Sequence, residues 1–293
     1  MIGKGGSSKV YKVMDDAGGV FALKRVKSIT DEAVMTGYRN EIAILRKLKG
    51  CDRIIRLVAW EEQESVLMMI LEYGEVDLET LIKQYGLDPT QVRYYWSEML
   101  QCVAQIHAAN IIHSDLKPAN FLMMKGRLVL IDFGISKTTG MDTTRIQRDF
   151  QTGTVNYMAP ECILYAEGGT ILKQGRKSDV WALGCILYRM VVGHPPFGHL
   201  GLIQKIHAIT HDTPIDMQAC PAAVASVLVG CLQRDVAKRS SISELQKHVY
   251  LNPDMWMEGK VLARILKRAS DLGLTRSNSA EIASQICLEM TKM

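Results

Sequence analysis

The sequence has no Cys-x-x-Cys pair, and its seven cysteines (51, 102, 162, 185, 220, 231 and 287) are odd in number and widely scattered. Neither a disulfide framework nor a paired-cysteine zinc site is expected from that spacing, so the thiols are read as free residues of helices. His207 and His211 share one helical face, but without a third ligand or an intervening glutamate they read as an ordinary solvated or half-buried face. No apolar run reaches the ~20 residues of a membrane-spanning helix, because residues 181–192 are interrupted by Arg189 and residues 222–232 are too short. The opening residues, Met1-Ile2-Gly3-Lys4-Gly5-Gly6-Ser7, lack the apolar centre of a signal peptide, so the chain is expected to stay inside the cell. Charge of one sign is also missing: 35 Lys+Arg against 31 Asp+Glu leave a net charge of +4. No direct nucleic-acid partner is expected on that balance. The pattern Gly-x-x-x-x-Gly-Lys-Ser/Thr is absent, which excludes a P-loop nucleotide site. Internal repeats and low-complexity tracts are absent as well.

What is present is a chain of 293 residues, 47% apolar, enough for one large domain or two lobes with substantial cores. Residues 10–13 and 20–26 are β-rich and flank Asp15-Asp16-Ala17-Gly18-Gly19, a hairpin signal. A helix is predicted over 31–49, where Ile42, Leu45 and Leu48 recur at helical spacing, and two further strands over 54–60 and 65–72. After Gly74 the pattern changes to long helices. Residues 92–109 carry Tyr95, Met99, Leu100, Val103 and Ile106 on one stripe, and residues 179–192 are apolar nearly all round, as a central helix would be. Helices are also predicted over 201–210, 222–234 and 241–248, the last opened by a Ser241/Glu244 capping box. The class is α+β: a small antiparallel sheet with one helix over 1–72, a connector over 73–75, and a larger, mainly α-helical part over 76–249. Two amphipathic segments, 259–272 and 280–290, form a helical tail over 250–293.

The decisive cluster is His113-Ser114-Asp115-Leu116-Lys117-Pro118-Ala119-Asn120, followed twelve residues later by Asp132-Phe133-Gly134. Residues 121–124 and 128–131 read as strands turning at Lys125-Gly126-Arg127, and such a hairpin brings Asp115, Lys117, Asn120 and Asp132 together. Phosphoryl transfer needs that set of groups: an acceptor for a hydroxyl proton, oxygen ligands for Mg²⁺ and a cation near the moving phosphoryl group. Each residue alone reads as a solvated loop charge; the fixed joint spacing is what speaks for chemistry. Near the start, Gly3-Lys4-Gly5-Gly6-Ser7-Ser8-Lys9-Val10 places glycines where a strand turns back, letting backbone N–H groups approach phosphate oxygens. A plain hairpin turn explains that stretch equally well by itself. Fourteen residues after Val10 comes the strand residue Lys24, and Glu41 lies within the following helix where it can hold that lysine.

Over residues 2–249 these motifs together resemble a eukaryotic protein kinase, which implies a bilobal fold using ATP and Mg²⁺ on protein substrates. The resemblance implies that Gly3 and Gly5 belong to the glycine-rich loop, with Lys24 on the phosphates and Glu41 holding Lys24. Asp115 would be the catalytic base, Lys117 would approach the γ-phosphate, and Asn120 and Asp132 would ligate the metal. Ile2, Val10, Ala22 and Leu122 would sandwich adenine, with Leu71 as gatekeeper and the backbone of Glu72 and Gly74 at its edge. Gly153-Thr154 and Ala159-Pro160-Glu161 resemble the end of an activation segment. Asp179 resembles the buried aspartate of the central helix, Arg239 the partner of Glu161, and Leu45, Leu57, His113 and Phe133 a stacked apolar spine.

Asp-Leu-Lys-Pro-x-Asn resembles serine/threonine kinases. Residues 5–10, 38–42, 113–121 and 153–158, with the long stretch 162–178, resemble the monopolar-spindle (TTK) dual-specificity family. That implies Ser/Thr and also Tyr as acceptors, a role in the spindle checkpoint and spindle-pole duplication, placement in nucleus, spindle or cytoplasm, and trans-autophosphorylation in a transient dimer. Ser8 stands where many kinases carry a third glycine, and Ser114 replaces the arginine that clasps a phosphorylated loop. Autophosphorylation at Thr143, Thr144 or Thr154, met by Arg39, Arg145 or Arg148, is the expected control. Only Met1 and Ile2 precede Gly3, so the roof over adenine is expected to be loosened or to begin upstream, and location is left to the tail, a partner or an upstream segment. A pseudokinase scaffold is the competing reading, and the intact Lys24, Asp115, Asn120 and Asp132 weigh against it.

Overall fold

A computed structural model describes residues 1–4, 8–27, 32–63, 66–133, 154–166 and 175–252. Contacts divide the chain into two compact units, 1–246 and 247–293. Gly5, Gly134, Thr143, Thr144, Arg145, Arg148 and Gly153 lie outside the described residues, as do the tail segments 259–272 and 280–290; the side chain of Thr154 is likewise not described.

The strands β1 (Gly3–Lys4), β2 (Ser8–Met14), β3 (Val20–Lys27), β4 (Leu57–Gln63) and β5 (Val66–Glu72) form one antiparallel sheet in the order β1-β2-β3-β5-β4. The hairpin between β2 and β3 closes on Asp15, whose carboxylate accepts from the N–H groups of Ala17 and Gly19 while Gly18 takes φ 85°. Helix α1 (Glu32–Lys47) packs on this sheet: Met35, Tyr38 and Ile42 join Val26, Leu67 and Met69 in one buried cluster, against which Leu57 and Leu71 lie. That spacing of apolar residues on one helical face is what buries α1.

Beyond the connector come β6 (Val76–Asp77), α2 (Leu78–Tyr85) and α3 (Pro89–Ala108), then β7 (Phe121–Met124) and β8 (Arg127–Leu130), which with β6 make a second sheet in the order β6-β7-β8. The β7–β8 turn needs only Lys125 and Gly126, at φ 49° and 77°. Two successive positive φ values match the right-handed twist of a hairpin, so Arg127 joins the strand instead of the turn. Helix α3 starts three residues before the predicted 92, because Asp88 caps it reciprocally with Gln91 and Pro89 suits the first turn.

The remaining helices among the described residues are α4 (Pro160–Ala166), α5 (Arg176–Val192), α6 (Leu202–Thr210), α7 (Ala222–Cys231) and α8 (Ile242–Gln246). Helix α5 is buried on nearly every side from Ser178 to Tyr188, as a segment apolar nearly all round predicts. It is drawn tight against α7 because Gly184 has no side chain; a Cβ there would stand 2.6 Å from Cys231 Cβ. Helix α7 ends before the predicted 234, since the carbonyl of Gln233 turns to accept from Arg239 at 2.8 Å. The Ser241/Glu244 capping box forms in both directions, at 3.3 and 2.7 Å. Cys102, Cys162, Cys185 and Cys231 are free helix residues; Cys51, between α1 and β4, and Cys220, between α6 and α7, are free but outside helices. Among the described residues, no helix is long and apolar enough to cross a membrane.

Candidate active site

The sheet register puts the first group of residues on one face. Val10 pairs with Lys24, Ala22 with Leu71, and Gly3 with Val10, so with period-two alternation Gly3, Val10, Ala22, Lys24 and Leu71 all share that face. Ile2 continues the pairing, its N–H donating to Val10 O at 2.8 Å, and its side chain is half exposed. At the connector, a Cβ on Gly74 would come within 2.2 Å of Leu122 Cδ2, so only glycine lets the β7 side chain reach the backbone there. Neither the N–H nor the carbonyl of Gly74 is taken by another group among the described residues. Glu72, two residues earlier, pairs with Phe21 and donates its N–H to Arg56 O. Among the described residues, Gly74 thus leaves an open backbone N–H and carbonyl beside Leu122.

Lys24 lies deeper on the same strand. Its Nζ is 2.8 and 2.9 Å from the two carboxylate oxygens of Glu41 and 3.3 Å from Asp132 Oδ1. Burial by itself would lower the Lys24 pKa, but the carboxylates of Asp132 and Glu41 outweigh it and keep the ammonium protonated far above neutral pH. The Lys24 ammonium holds the Asp132 carboxyl below its ordinary value, desolvation working the other way. Burial pushes Glu41 upward, with Lys24 opposing it.

The second group sits on the stretch before β7. Lys117 Nζ donates to Asp115 Oδ2 at 3.0 Å, and Asn120 Nδ2 donates to the carbonyl of Asp115 at 2.9 Å. The other oxygen, Asp115 Oδ1, is buried and has no partner among the described residues. A buried acceptor left open is costly, and it marks where a donor can enter. Ser114 and Asp132, at either end of the group, hold left-handed φ values of 64° and 61° without being glycine. Such strain persists only where the surroundings over-determine it. For Ser114 the cause is visible: Asp179, fully buried at the start of α5, accepts from the N–H groups of His113 and Ser114 at 3.0 and 2.8 Å and from His107 Nε2 at 2.8 Å. Burial alone would raise the Asp179 carboxyl, but the His107 bond and the surrounding donors bring it below its ordinary value.

The two groups meet where Lys24 reaches Asp132. Asn120 and Asp132 carry an amide oxygen and a carboxylate, donors of the kind a hard divalent cation takes. Of the predicted spine, His113 and Phe133 touch, their rings 5.5 Å apart, and Leu57 packs on the α1 cluster. Glu161 and Arg239 form the expected buried pair at 2.7 and 2.9 Å. His207 and His211 stack at 4.0 Å. Among the described residues no three His, Cys, Asp or Glu side chains gather as a metal site would. Two features were not foreseen. Arg53 bolts the loop after α1 to Glu98 and Gln101 of α3. Arg189 of α5 grips Glu79 of α2 and donates to Tyr157 Oη at 2.6 Å, steadying the turn before α4. The only local sign of either is the Asp77 cap that starts α2; the partners are distant in sequence.

The protein kinase domain model matches residues 1–251. Among curated proteins the chain is 45% identical over 285 residues to "Serine/threonine-protein kinase mph1" of Schizosaccharomyces pombe, covering 86% of this chain and 42% of that protein. It is 43% identical over 262 residues to "Dual specificity protein kinase TTK" of Mus musculus, covering 85% and 30%. To "Serine/threonine-protein kinase MPS1" of Saccharomyces cerevisiae it is 37% identical over 294 residues, covering 93% and 38%. The chain thus spans less than half the length of these relatives.

Proposed function

Because this chain belongs to the protein kinase family, whose domain uses ATP with a divalent metal on protein substrates, we propose that it transfers the γ-phosphoryl group of Mg·ATP to Ser, Thr and Tyr hydroxyls. The observation that carries this reading is Asp115: one carboxylate oxygen is held by Lys117 and the other is buried and open. An open carboxylate oxygen beside a fixed lysine can accept a hydroxyl proton while the cation stays near the phosphoryl group. Lys24, held by Glu41, would take the phosphates, and Asn120 and Asp132 would hold the metal ion. When bound, that ion would neutralise phosphate charge and orient the transferring group. Ile2, Gly3, Gly5, Val10, Ala22, Leu71 and Leu122 would enclose the adenine and phosphates, and the backbone of Glu72 and Gly74 would read the adenine edge. Acceptance of Tyr and a place in the spindle checkpoint rest on the resemblance to the monopolar-spindle kinases. A domain over 1–249 with a tail over 250–293 is part of the same proposal.

The test is phosphorylation of a peptide library with Mg·ATP, read by mass spectrometry. Asp115→Asn is expected to lower the rate by about 10²–10⁴-fold, with nucleotide binding retained. An Asp115→Asn protein as active as the parent would overturn the reading.

A further inference from the structure

A cleft of about 700 Å³, lined by neither Lys24 nor Asp115, lies between the end of α1, strand β4 and the β7–β8 turn. Its lining is uneven in charge. Five cations (Arg46, Lys49, Arg56, Lys125 and Arg127) face two carboxylates, Asp52 and Glu72. Both carboxylates are already engaged, Asp52 by Arg127 at 2.9 Å and Glu72 by Arg56 at 3.0 Å. Arg46, Lys49 and Lys125 are exposed and their charged ends have no partner among the described residues. Among the described residues the cleft therefore holds an excess of three positive charges, against four for the entire chain.

Beside these cations lie apolar groups in contact with water: Val58 and Trp60 of β4 are 43% and 45% exposed. Strand β4 is also the outer strand of its sheet, paired with β5 alone. An edge strand offers unpaired backbone groups that an extended polypeptide can use and a nucleic acid cannot.

We propose that this cleft is a docking site for an acidic, extended peptide segment carrying apolar side chains, separate from the phosphoryl-transfer site. Arg46, Lys49 and Lys125 receive its carboxylates, and Val58 and Trp60 receive its apolar residues. The site concerns recruitment and not chemistry, so it stands whether or not Asp115 acts as proposed.

The probe is a fluorescein-labelled peptide, Glu-Asp-Glu-Leu-Glu-Phe-Asp-Glu, followed by anisotropy on the full chain. It is expected to bind with an affinity that falls as salt is raised, and saturating Mg·ATP is expected to leave it bound. Arg46→Glu/Lys49→Glu/Lys125→Glu is expected to weaken binding by at least about tenfold, since like charges then face the peptide. Trp60→Ala is expected to weaken it about threefold to tenfold. Because these side chains are exposed, both variants should keep the melting temperature and the rate on a short substrate lacking an acidic segment; a variant that melts early is replaced by the single change Lys125→Glu. Equal binding of the peptide's Lys/Arg counterpart, of a peptide with Leu and Phe replaced by Ser, or of a single-stranded oligonucleotide would overturn the assignment. So would charge reversal that leaves binding unchanged.

Discussion

Two buried ion pairs anchor the two ends of the catalytic unit, and they are built differently. Arg239 and Glu161 form a two-pronged pair, and the same guanidinium also donates to the carbonyls of Gln233 and Lys177 and lies over the Trp181 ring. Lys24 and Glu41 instead share one ammonium with Asp132, whose side chain is 47% exposed to the cleft. A planar guanidinium with every donor placed cannot shift without breaking several bonds at once, whereas an ammonium is a point charge that several oxygens can share. The first pair reads as architecture; the second has the looser coordination that the proposed role of Lys24 on the phosphates requires.

The largest effect should come from separating the architectural pair. Glu161→Ala leaves a guanidinium that cannot lose its proton in an apolar setting, and a loss of about 3–5 kcal/mol is expected in urea unfolding. An unfolding midpoint equal to the parent's would contradict this assignment. Lys24→Met should behave oppositely in kind: the rate falls by about 10²–10³-fold, while stability falls by only about 1–2 kcal/mol. The reason is that Glu41, already pushed upward by burial, can take a proton when its partner is gone. The stability cost of Lys24→Met should therefore shrink as pH is lowered; a cost that stays constant with pH, or equals that of Glu161→Ala, would erase the distinction.

Gly74→Ala probes the connector between the two ends. The added Cβ meets Leu122 at 2.2 Å, and overpacking of that kind costs about 1–3 kcal/mol; weaker nucleotide binding by calorimetry should accompany it. The Arg189–Glu79 pair supplies a pH test. Burial favours the neutral Glu79, but hydrogen bonds from Arg189 and Lys83 win and hold its carboxyl below the ordinary value. The folded state then binds fewer protons than the unfolded one, so this stabilisation is complete above the ordinary glutamate range and fades as pH falls through the folded value. Glu79→Gln should accordingly be less stable than the parent at neutral pH and should converge with it in acid; a gap that widens in acid would reverse the sign. Smallest of all, Ser241→Ala should cost about 0.5–1 kcal/mol through loss of one cap.

Much of the candidate site was readable because its chemistry is local. His113 to Asn120 and Asp132 are joined by a hairpin whose turn residues announce it, so their convergence follows from spacing. Lys24 was given its partner by Glu41's place within the predicted helix and by the kinase resemblance; the structure supplies the cause, since burying the Met35, Tyr38 and Ile42 face of α1 carries Glu41 toward the sheet. Helix α2 was missed, being only eight residues long, and α4 was read as part of a motif instead of an element. The Arg53 bolt to Glu98 and the Arg189 grip on Glu79 span 45 and 110 positions of sequence, and no periodicity encodes such pairings. The basic cleft was equally hidden, since a nearly balanced total charge says nothing about where the excess gathers.

Residue types, spacing and short motifs determined this protein's class, most of its longer elements and the groups around Asp115 and Lys24, because period, turn chemistry and short motifs act over a few residues. Which strained conformations those groups hold, which carboxylate oxygen stays open and which face collects the spare cations were decided only by tertiary structure. Each depends on what packs opposite: Asp179 reaching Ser114 from α5, Leu122 against Gly74, and α1 ending beside the β7–β8 turn.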